Sequence, residues 1–141
     1  MTLFLIAHVA GRAVAISTDQ VESVVDIGAV TPVPGAPPQV RGLAALRSRV
    51  MTVISSRAVL DGAARSPASR RAIVTLIDGH HYAILVASLE DVTPLDLKPL
   101  PPGVAPSGAW REAACGMVEL GGEPTLAITL RALIPGLALA A

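Results

Sequence analysis

The segment LIAHVAG at residues 5–11 recurs 68 positions later as IVTLIDG at residues 73–79. Further matches follow this offset and then, beyond the proline-rich stretch 94–106, an offset of 74 residues. They pair Ile16 with Ile84, Glu22 with Glu90, Gly42 with Gly116, Leu46 with Leu120, and Arg57-Ala58 with Arg131-Ala132. Apolar matches alone could arise by chance, but the glycines, the glutamates and the Arg-Ala pairs are harder to obtain that way. The pattern therefore predicts a duplicated subdomain.

Each copy is predicted to open with a β-hairpin, because apolar runs flank Ala10-Gly11 in the first copy and Asp78-Gly79 in the second. Asp-Gly is a strong hairpin signal, since a type I′ turn requires a positive φ at both central residues. Five strands are expected in each copy. They are Phe4–Val9, Arg12–Ser17, Val21–Ile27, Val40–Leu46 and Val50–Ile54, then Ile73–Ile77, Tyr82–Val86, Leu89–Thr93, Cys115–Leu120 and Thr125–Ile128.

Each copy is predicted to end in a short helix, over Arg57–Leu60 in the first and Leu130–Ile134 in the second. Ser55 or Ser56 can cap the first helix, and Thr129 can cap the second. Prolines make residues 32–38 a loop or a sheet edge, and the Ala, Ser, Gly and Pro of residues 61–69 indicate a connector.

These elements predict a mainly β protein in which two small β-barrels are closely joined in a single domain, 1–141. Half of this chain could not easily bury a core alone, so we expect an apolar core shared by the two copies. The first subdomain is expected mainly over residues 12–62 and the second mainly over residues 70–134. An exchange of the N-terminal strand between them is left open.

The composition excludes several classes of protein. The chain is 52% hydrophobic and 16% charged, which rules out disorder. Eleven basic and eleven acidic side chains cancel, and only three residues are aromatic, so neither a field nor a stacking platform for nucleic acid is expected. No apolar stretch reaches the roughly 18 to 20 residues of a membrane span. We therefore expect no nucleic-acid partner and no direct membrane insertion.

The expected location is cytoplasmic. The single cysteine, Cys115, excludes an internal disulfide framework and fits a reducing compartment. A signal peptide is the alternative, since Met1–Val9 is apolar and Ala13-Val14-Ala15 has the spacing of a cleavage site. However, no basic residue precedes the apolar stretch, and Arg12 interrupts it, so a first β-strand is the better interpretation.

Catalytic and metal-binding patterns are missing from the sequence. A zinc site needs three or four suitably spaced ligands, whereas His80 and His81 are adjacent and would face opposite sides of a strand, and His8 is isolated. Cys115 is expected to be a small buried residue rather than a nucleophile. The phosphate-binding and hydrolase motifs are lacking as well. We therefore predict a binding module that is not an enzyme and carries no metal or cofactor.

Positive charge is concentrated in the middle of the chain: residues 41–71 include seven arginines and a single acidic residue, Asp61. The arginines are Arg41, Arg47, Arg49, Arg57, Arg65, Arg70 and Arg71. Arg57, which matches Arg131, is expected to bond carbonyl groups where its helix begins. Arg47 follows an apolar run, where a guanidinium has to find a partner or reach solvent. It therefore either contacts a binding partner or pairs internally with a carboxylate such as Glu22 or Asp26.

Several motifs together resemble one family. They are VESVV at 21–25, TPVPGAPPQVRG at 31–42, LR at 46–47, VI at 53–54, and Arg57. These motifs are similar to those of the CheW-like family, the coupling proteins of bacterial chemotaxis, and the likeness extends over nearly the whole chain. The resemblance implies two five-stranded SH3-like β-barrels. It also implies a non-catalytic adaptor, recruited to membrane receptor arrays, that joins the cytoplasmic tip of a chemoreceptor to the regulatory domain of the histidine kinase CheA.

The resemblance further implies that a receptor helix lies in a groove between the two barrels. The implied receptor- or kinase-binding residues are Val21, Ser23, Arg41, Gly42, Leu43, Leu46 and Arg47. Three of the family's motifs are altered: its N-L-R-G reads Ala45-Leu46-Arg47-Ser48 here, its P-[VI]-V-D-L-R reads TVISSR at 52–57, and the Glu of its V-x-E falls on Ser23. These changes leave two alternatives open, an array-forming structural protein with weak receptor binding and a module of a non-motility signalling pathway.

Overall fold

The computed structural model describes residues 1–61, 69–103 and 106–135. Within them the chain forms ten strands: β1 (Thr2–Val9), β2 (Arg12–Ser17), β3 (Ser23–Asp26), β4 (Val40–Leu46), β5 (Arg49–Ser55), β6 (Arg71–Ile77), β7 (His80–Leu85), β8 (Ser88–Leu95), β9 (Ala114–Leu120) and β10 (Glu123–Ile128). The helices are α1 (Ser56–Asp61), α2 (Ala109–Ala113) and two 3₁₀ turns, Thr18–Gln20 and Leu130–Leu133. All ten predicted strands are present. Helix α2 was not predicted, and the expected connector lies mostly outside the described residues.

Both predicted opening hairpins have the expected turn geometry. Ala10 and Gly11 have φ values of 49° and 78°, and Asp78 and Gly79 have values of 52° and 80°. Positive φ at both central residues is the signature of a type I′ turn, whose twist matches that of the strands. The two copies therefore begin with the same local structure.

The ten strands form two five-stranded sheets, and each sheet draws strands from both copies. Sheet A has the order β8-β1-β2-β10-β9, and sheet B has the order β3-β6-β7-β5-β4. Both sheets are antiparallel except for the parallel pairs β2–β10 and β5–β7. Replacing each strand by its copy converts the order of sheet A into that of sheet B, so the internal repeat relates the two sheets.

This topology differs from the expected subdomains. The sequence predicted one subdomain mainly over residues 12–62 and another mainly over residues 70–134, with the N-terminal strand as the one element that could move from one to the other. Both opening hairpins are exchanged as complete units: β1–β2 joins the strands of the second copy, and β6–β7 joins those of the first. The middle strands of each sheet are buried on both faces, as in residues 4–7 of β1. Such strands lack the polar and apolar alternation that would show which sheet they enter.

The core has three layers that follow the alternation of side chains along the strands. The central cluster lies between the sheets and includes Ile16, Ile73, Ile84 and Ile128. Smaller clusters fill the concave side of each sheet, one around Met51 in sheet B and the other around residues Phe4, Ile6 and Val118 in sheet A. The expected shared core is therefore present and belongs to both copies.

One backbone bridge draws the two edges of each sheet together. Thr31, in the loop after β3, exchanges two hydrogen bonds with Leu43 of β4, of 2.8 and 2.9 Å. Lys98, after β8, bonds in the same way to Met117 of β9. Gly42 makes the first approach possible, because a Cβ at this position would lie 2.1 Å from the carbonyl oxygen of Thr31. The bridges curl both sheets toward closed barrels.

The helix ends only partly follow the predictions. Ser55 caps α1 as expected, accepting a hydrogen bond of 3.2 Å from the Ala58 amide. Thr129 makes no side-chain cap; instead, the Gln20 Oε1 accepts a bond of 2.8 Å from the Leu130 amide. The expected structural role of Arg57 is wrong, because its side chain is exposed and makes no hydrogen bond within the described part of the chain. Its copy, Arg131, instead bonds to Asp78.

Candidate interaction surface

The tip of the β4–β5 hairpin presents Arg47 to solvent. Arg47 and Ser48 form the two-residue turn with φ values of 52° and 65°, and Leu46 pairs with Arg49 across it. A positive φ costs a side-chain-bearing residue roughly 1–2 kcal/mol relative to the right-handed region. The corresponding turn of the second copy, between β9 and β10, is made of two glycines at positions 121 and 122. The fold therefore needs a left-handed turn at this position but not an arginine.

The internal pairing considered for Arg47 does not occur in the structure. Glu22 is bonded to Arg49, with 2.8 Å between Oε1 and Nη1, and Asp26 lies 3.5 Å from Arg71. Arg47 itself forms no ion pair within residues 1–61, 69–103 and 106–135. Its guanidinium thus remains available to a partner molecule.

The other implied binding residues fall into two groups. Leu46 packs against the inner core of sheet B beside the hairpin tip, and the Glu22–Arg49 bond brings the segment that contains Val21 and Ser23 to the same end of the sheet. The second group, at the far end of β4, is Arg41, Gly42 and Leu43. At about 3.3 Å per residue, Arg41 lies roughly 16 Å from Leu46 along the strand. The structure therefore does not gather all seven residues at one point.

Gly42 has a structural explanation that the sequence did not reveal. It is buried, and its φ of +140° and its contact with the backbone at Thr31 leave no room for a side chain. Leu43, on the opposite face, is 37% exposed. Of these two residues, only Leu43 offers a side chain to a partner.

A groove with a volume of about 490 Å³ lies where the two sheets meet. It is lined by residues 19–22, 75–77 and 129–131. Val21 packs against the central core from this groove, and Leu76 on its wall is 52% exposed. Arg131 and Asp78 form an ion pair of 3.0 Å at its end. This apolar channel with charged rims has the chemistry of a site for an amphipathic helix.

Sequence analysis missed a three-residue cluster beside the hairpin tip. The Arg49 Nη1 lies 2.8 Å from Glu22 and 2.9 Å from the Nε2 of His81, and that Nε2 lies 3.2 Å from the Glu22 carboxylate. The repeat had singled out Glu22 through its match with Glu90, but nothing in the sequence indicated its partners. Glu90 also contacts a histidine, His8.

The remaining chemistry of the surface is sparse. Among the described residues, no three or more His, Cys, Asp or Glu side chains are grouped so that they could hold a metal ion. The expectation that Cys115 is buried is wrong: the residue is exposed on β9, and its thiol donates to the Ala127 carbonyl at 3.5 Å. Partial burial of the sulfur nevertheless raises the pKa of the Cys115 thiol above its ordinary value. The described part of the chain holds no helix with the length and apolarity needed to cross a bilayer.

Comparison with known proteins assigns the family. The model of the CheW-like domain matches residues 3–137. No curated protein gives a significant match. The crystal structure of the scaffolding protein TtCheW from Thermoanaerobacter tengcongensis superposes with a TM-score of 0.77 at 20% identity, covering 92% of this chain and 84% of that one. At this identity the likeness shows the fold, and it agrees with the two five-stranded sheets.

The family match covers nearly the whole chain, and both the internal repeat and the fold agree with it. CheW-like proteins are non-catalytic scaffolds and adaptors in chemotaxis, with chemoreceptors and CheA as their general partners. The chain belongs to the CheW-like family.

Proposed function

We propose that this protein couples the cytoplasmic tip of a chemoreceptor to the regulatory domain of CheA and is thereby recruited to receptor arrays at the membrane. In this proposal a receptor helix occupies the groove that contains Val21 and Leu76, and Arg47 contacts a partner from the hairpin tip. Ser23, Arg41, Leu43 and Leu46 supply the surrounding surface. Family membership supports the class of partner, and the geometry of Arg47 supports the site.

The turn conformation of Arg47 is the observation that carries the proposal. An arginine held at a φ of 52° is destabilising, and the second copy makes the same turn with Gly121 and Gly122. A residue kept at such a cost is often functional. Arginine is also over-represented among the residues that dominate binding energy at interfaces, because its fork donates several hydrogen bonds.

Replacing Arg47 by glycine tests this site without disturbing the fold. Since glycine adopts the turn freely, Arg47→Gly should leave the melting temperature unchanged or raise it. Binding to a receptor-tip fragment or to the CheA regulatory domain should weaken at least about tenfold, because a charge-assisted hydrogen bond contributes roughly 1.5–3 kcal/mol. Arg47→Glu, which also reverses the charge, should weaken binding further.

Ser48→Gly is the matched control, since it relieves the same backbone conformation next to Arg47. It should raise stability and leave both affinities unchanged. If the Arg47→Gly variant binds both partners with wild-type affinity, Arg47 is not part of the interface. A loss of stability with binding retained by the folded fraction would show that Arg47 is structural.

One alternative is an array-forming scaffold that binds the receptor weakly. It is favoured because Ser23 stands where the family's V-x-E motif has glutamate, and Ala45 stands where its N-L-R-G motif has asparagine. Co-purification from the native cells separates the possibilities. Recovery of receptors together with kinase supports the coupling role, and kinase without receptor supports the array-forming role. Recovery of neither would favour a signalling pathway unrelated to motility.

A further inference from the structure

The contact between Arg49 and Glu22 ties the candidate hairpin to the opposite edge of sheet B. Arg49 is the first residue of β5, immediately after the turn, and Glu22 immediately precedes β3. In the order β3-β6-β7-β5-β4, these residues are separated by β6 and β7. A single guanidinium nitrogen therefore connects the hairpin tip to the wall of the inter-sheet groove, which includes Glu22.

His81 lies between these two charges at the rim of the concave side of sheet B. Side chains two residues apart in a strand share a face, and Met51 and Ala83 belong to the inner cluster of this sheet. Arg49 and His81 consequently face the same side at its open end. The side chain of His81 is only 18% exposed, so water screens its contacts less than it would on an open surface.

One nitrogen of His81 has two incompatible partners. Without a hydrogen, Nε2 accepts a bond from Arg49 at 2.9 Å; with a hydrogen, it donates to Glu22 at 3.2 Å. When both ring nitrogens are protonated, Nε2 can no longer accept the bond from Arg49, and a positive ring lies against the Arg49 guanidinium. On β6 the residue paired with His81 is Leu76, which is uncharged, and the neighbouring His80 bonds instead to Thr52.

We propose that Glu22, Arg49 and His81 form a pH-sensitive tether that positions the tip of the β4–β5 hairpin, and that protonation of His81 releases Arg49 from it. Histidine changes its charge between about pH 5 and 8, so the tether is intact at the upper end of this range and loosened at the lower end. This inference deepens the proposed function and rests on it in one respect: the positioned tip carries Arg47.

Sheet A supplies an internal comparison for the tether. Glu90, the copy of Glu22, contacts His8, but the position that matches Arg49 is occupied by Glu123. Protonation of His8 therefore strengthens a two-residue contact and expels no cation. Among the described residues, the arrangement of a glutamate, an arginine and a histidine beside a hairpin tip is found in sheet B and not in sheet A.

Nuclear magnetic resonance of the whole isotope-labelled chain tests the tether without any partner. Between pH 5 and 8, the backbone amides of Arg47 and Ser48 should shift with the same midpoint as the His81 ring. His81→Gln should abolish this response. Arg49→Gln should abolish it too, while leaving His81 free to titrate.

His80→Gln and His8→Gln are the controls, because these histidines lie on the other face of β7 and in sheet A. Both variants should keep the response of the hairpin amides. The tether is disproved if the chemical shifts of those amides do not change with pH while the His81 ring titrates. It is equally disproved if they titrate unchanged in His81→Gln.

Binding at two pH values separates the tether from the proposed function. Affinity for the receptor-tip fragment or the CheA regulatory domain should fall about fivefold or more from pH 7.5 to pH 5.5 in the wild-type chain and stay nearly constant in His81→Gln. If the amides respond as expected but neither partner binds at either pH, the tether stands and the proposed function fails. If the partners bind with the same pH dependence in His81→Gln, the tether does not position their surface.

Discussion

The β4–β5 and β9–β10 hairpins occupy the same place in the two sheets and differ in their chemistry. Each is drawn toward the opposite edge of its sheet by one backbone bridge, and each has a two-residue turn with positive φ. The first hairpin carries Arg47-Ser48 followed by Arg49. The second carries Gly121-Gly122 followed by Glu123.

This difference separates what the fold requires from what the surface provides. Features shared by both copies, such as the glycine before each bridge and the central isoleucines, belong to the architecture. Features present in one copy, such as the strained arginine and the Arg49 tether, are not needed to make a hairpin at that place. A duplicated chain thus contains its own control for distinguishing structural from functional residues.

The largest effect expected from comparing the copies is at the bridge glycines. Gly42→Ala should lower the free energy of unfolding by at least about 3 kcal/mol, because it forces a side chain onto a φ of +140° and against the backbone of Thr31. Gly116→Ala should cost less, about 1–2 kcal/mol, because the backbone of Gly116 is not in the left-handed region. A Cβ there would lie 2.6 Å from the flexible end of Leu97 and 2.8 Å from the Lys98 carbonyl oxygen, a milder clash than the one at Gly42. Urea denaturation of both variants measures the difference. Equal losses would show that the two bridges are equivalent.

The central core should respond equally in the two copies. Ile16 and Ile84 are fully buried between the sheets at matching positions. Each Ile→Ala change should cost about 2–5 kcal/mol, and the two losses should agree within about 1 kcal/mol. Leu76→Ala is the control, because Leu76 is half exposed and should change stability by no more than about 0.5 kcal/mol. Chemical denaturation measures both losses. If the free energy of unfolding falls much more in one variant than in the other, the shared core stabilises one sheet more than the other.

A smaller gain is expected at the first hairpin turn. Ala10 has a φ of 49°, whereas Asp78, at the same place in the second copy, is a residue type that tolerates this conformation. Ala10→Asn should stabilise the chain by about 0.5–1 kcal/mol, since Asn-Gly is preferred in type I′ turns. Thermal unfolding followed by circular dichroism measures the gain. A loss of stability would indicate that Ala10 is held in place by packing that a larger side chain disrupts.

The smallest effect concerns Cys115, which stands where the first copy has Arg41. Because desolvation raises the pKa of its thiol, less thiolate is present at neutral pH, and the thiolate is the reactive form. Alkylation by iodoacetamide at pH 7 should therefore be slower in the folded chain than in denaturant, and the gap should narrow as the pH rises above the raised pKa. Equal rates at pH 7 would contradict this assignment.

The sequence predicted the strands well and their partners poorly, for a physical reason. Turn residues such as Asp78-Gly79 act locally, so they can be read from the chain. Whether an opening hairpin joins the strands of its own copy or of the other copy depends on how its apolar faces pack. Strands that are buried on both faces have no polar and apolar alternation that would predict this packing. The prediction of surface residues was limited in the same way. Arg47 could be identified because it follows an apolar run, whereas Arg49 and His81 could not, because only their contact across sheet B brings them together.

The order of strands along the chain also determines the order in which the two sheets can be completed during synthesis. Sheet B is made only from strands between residues 23 and 85, whereas sheet A pairs β2 with β10 and β1 with β8. Because the N-terminal part leaves the ribosome first, sheet B has all its strands while the β1–β2 hairpin still lacks its later neighbours. Pairings between such distant segments form slowly. Until β8–β10 have emerged, the apolar faces of β1 and β2 therefore remain open to other proteins, and a chaperone that covers this hairpin would protect the nascent chain.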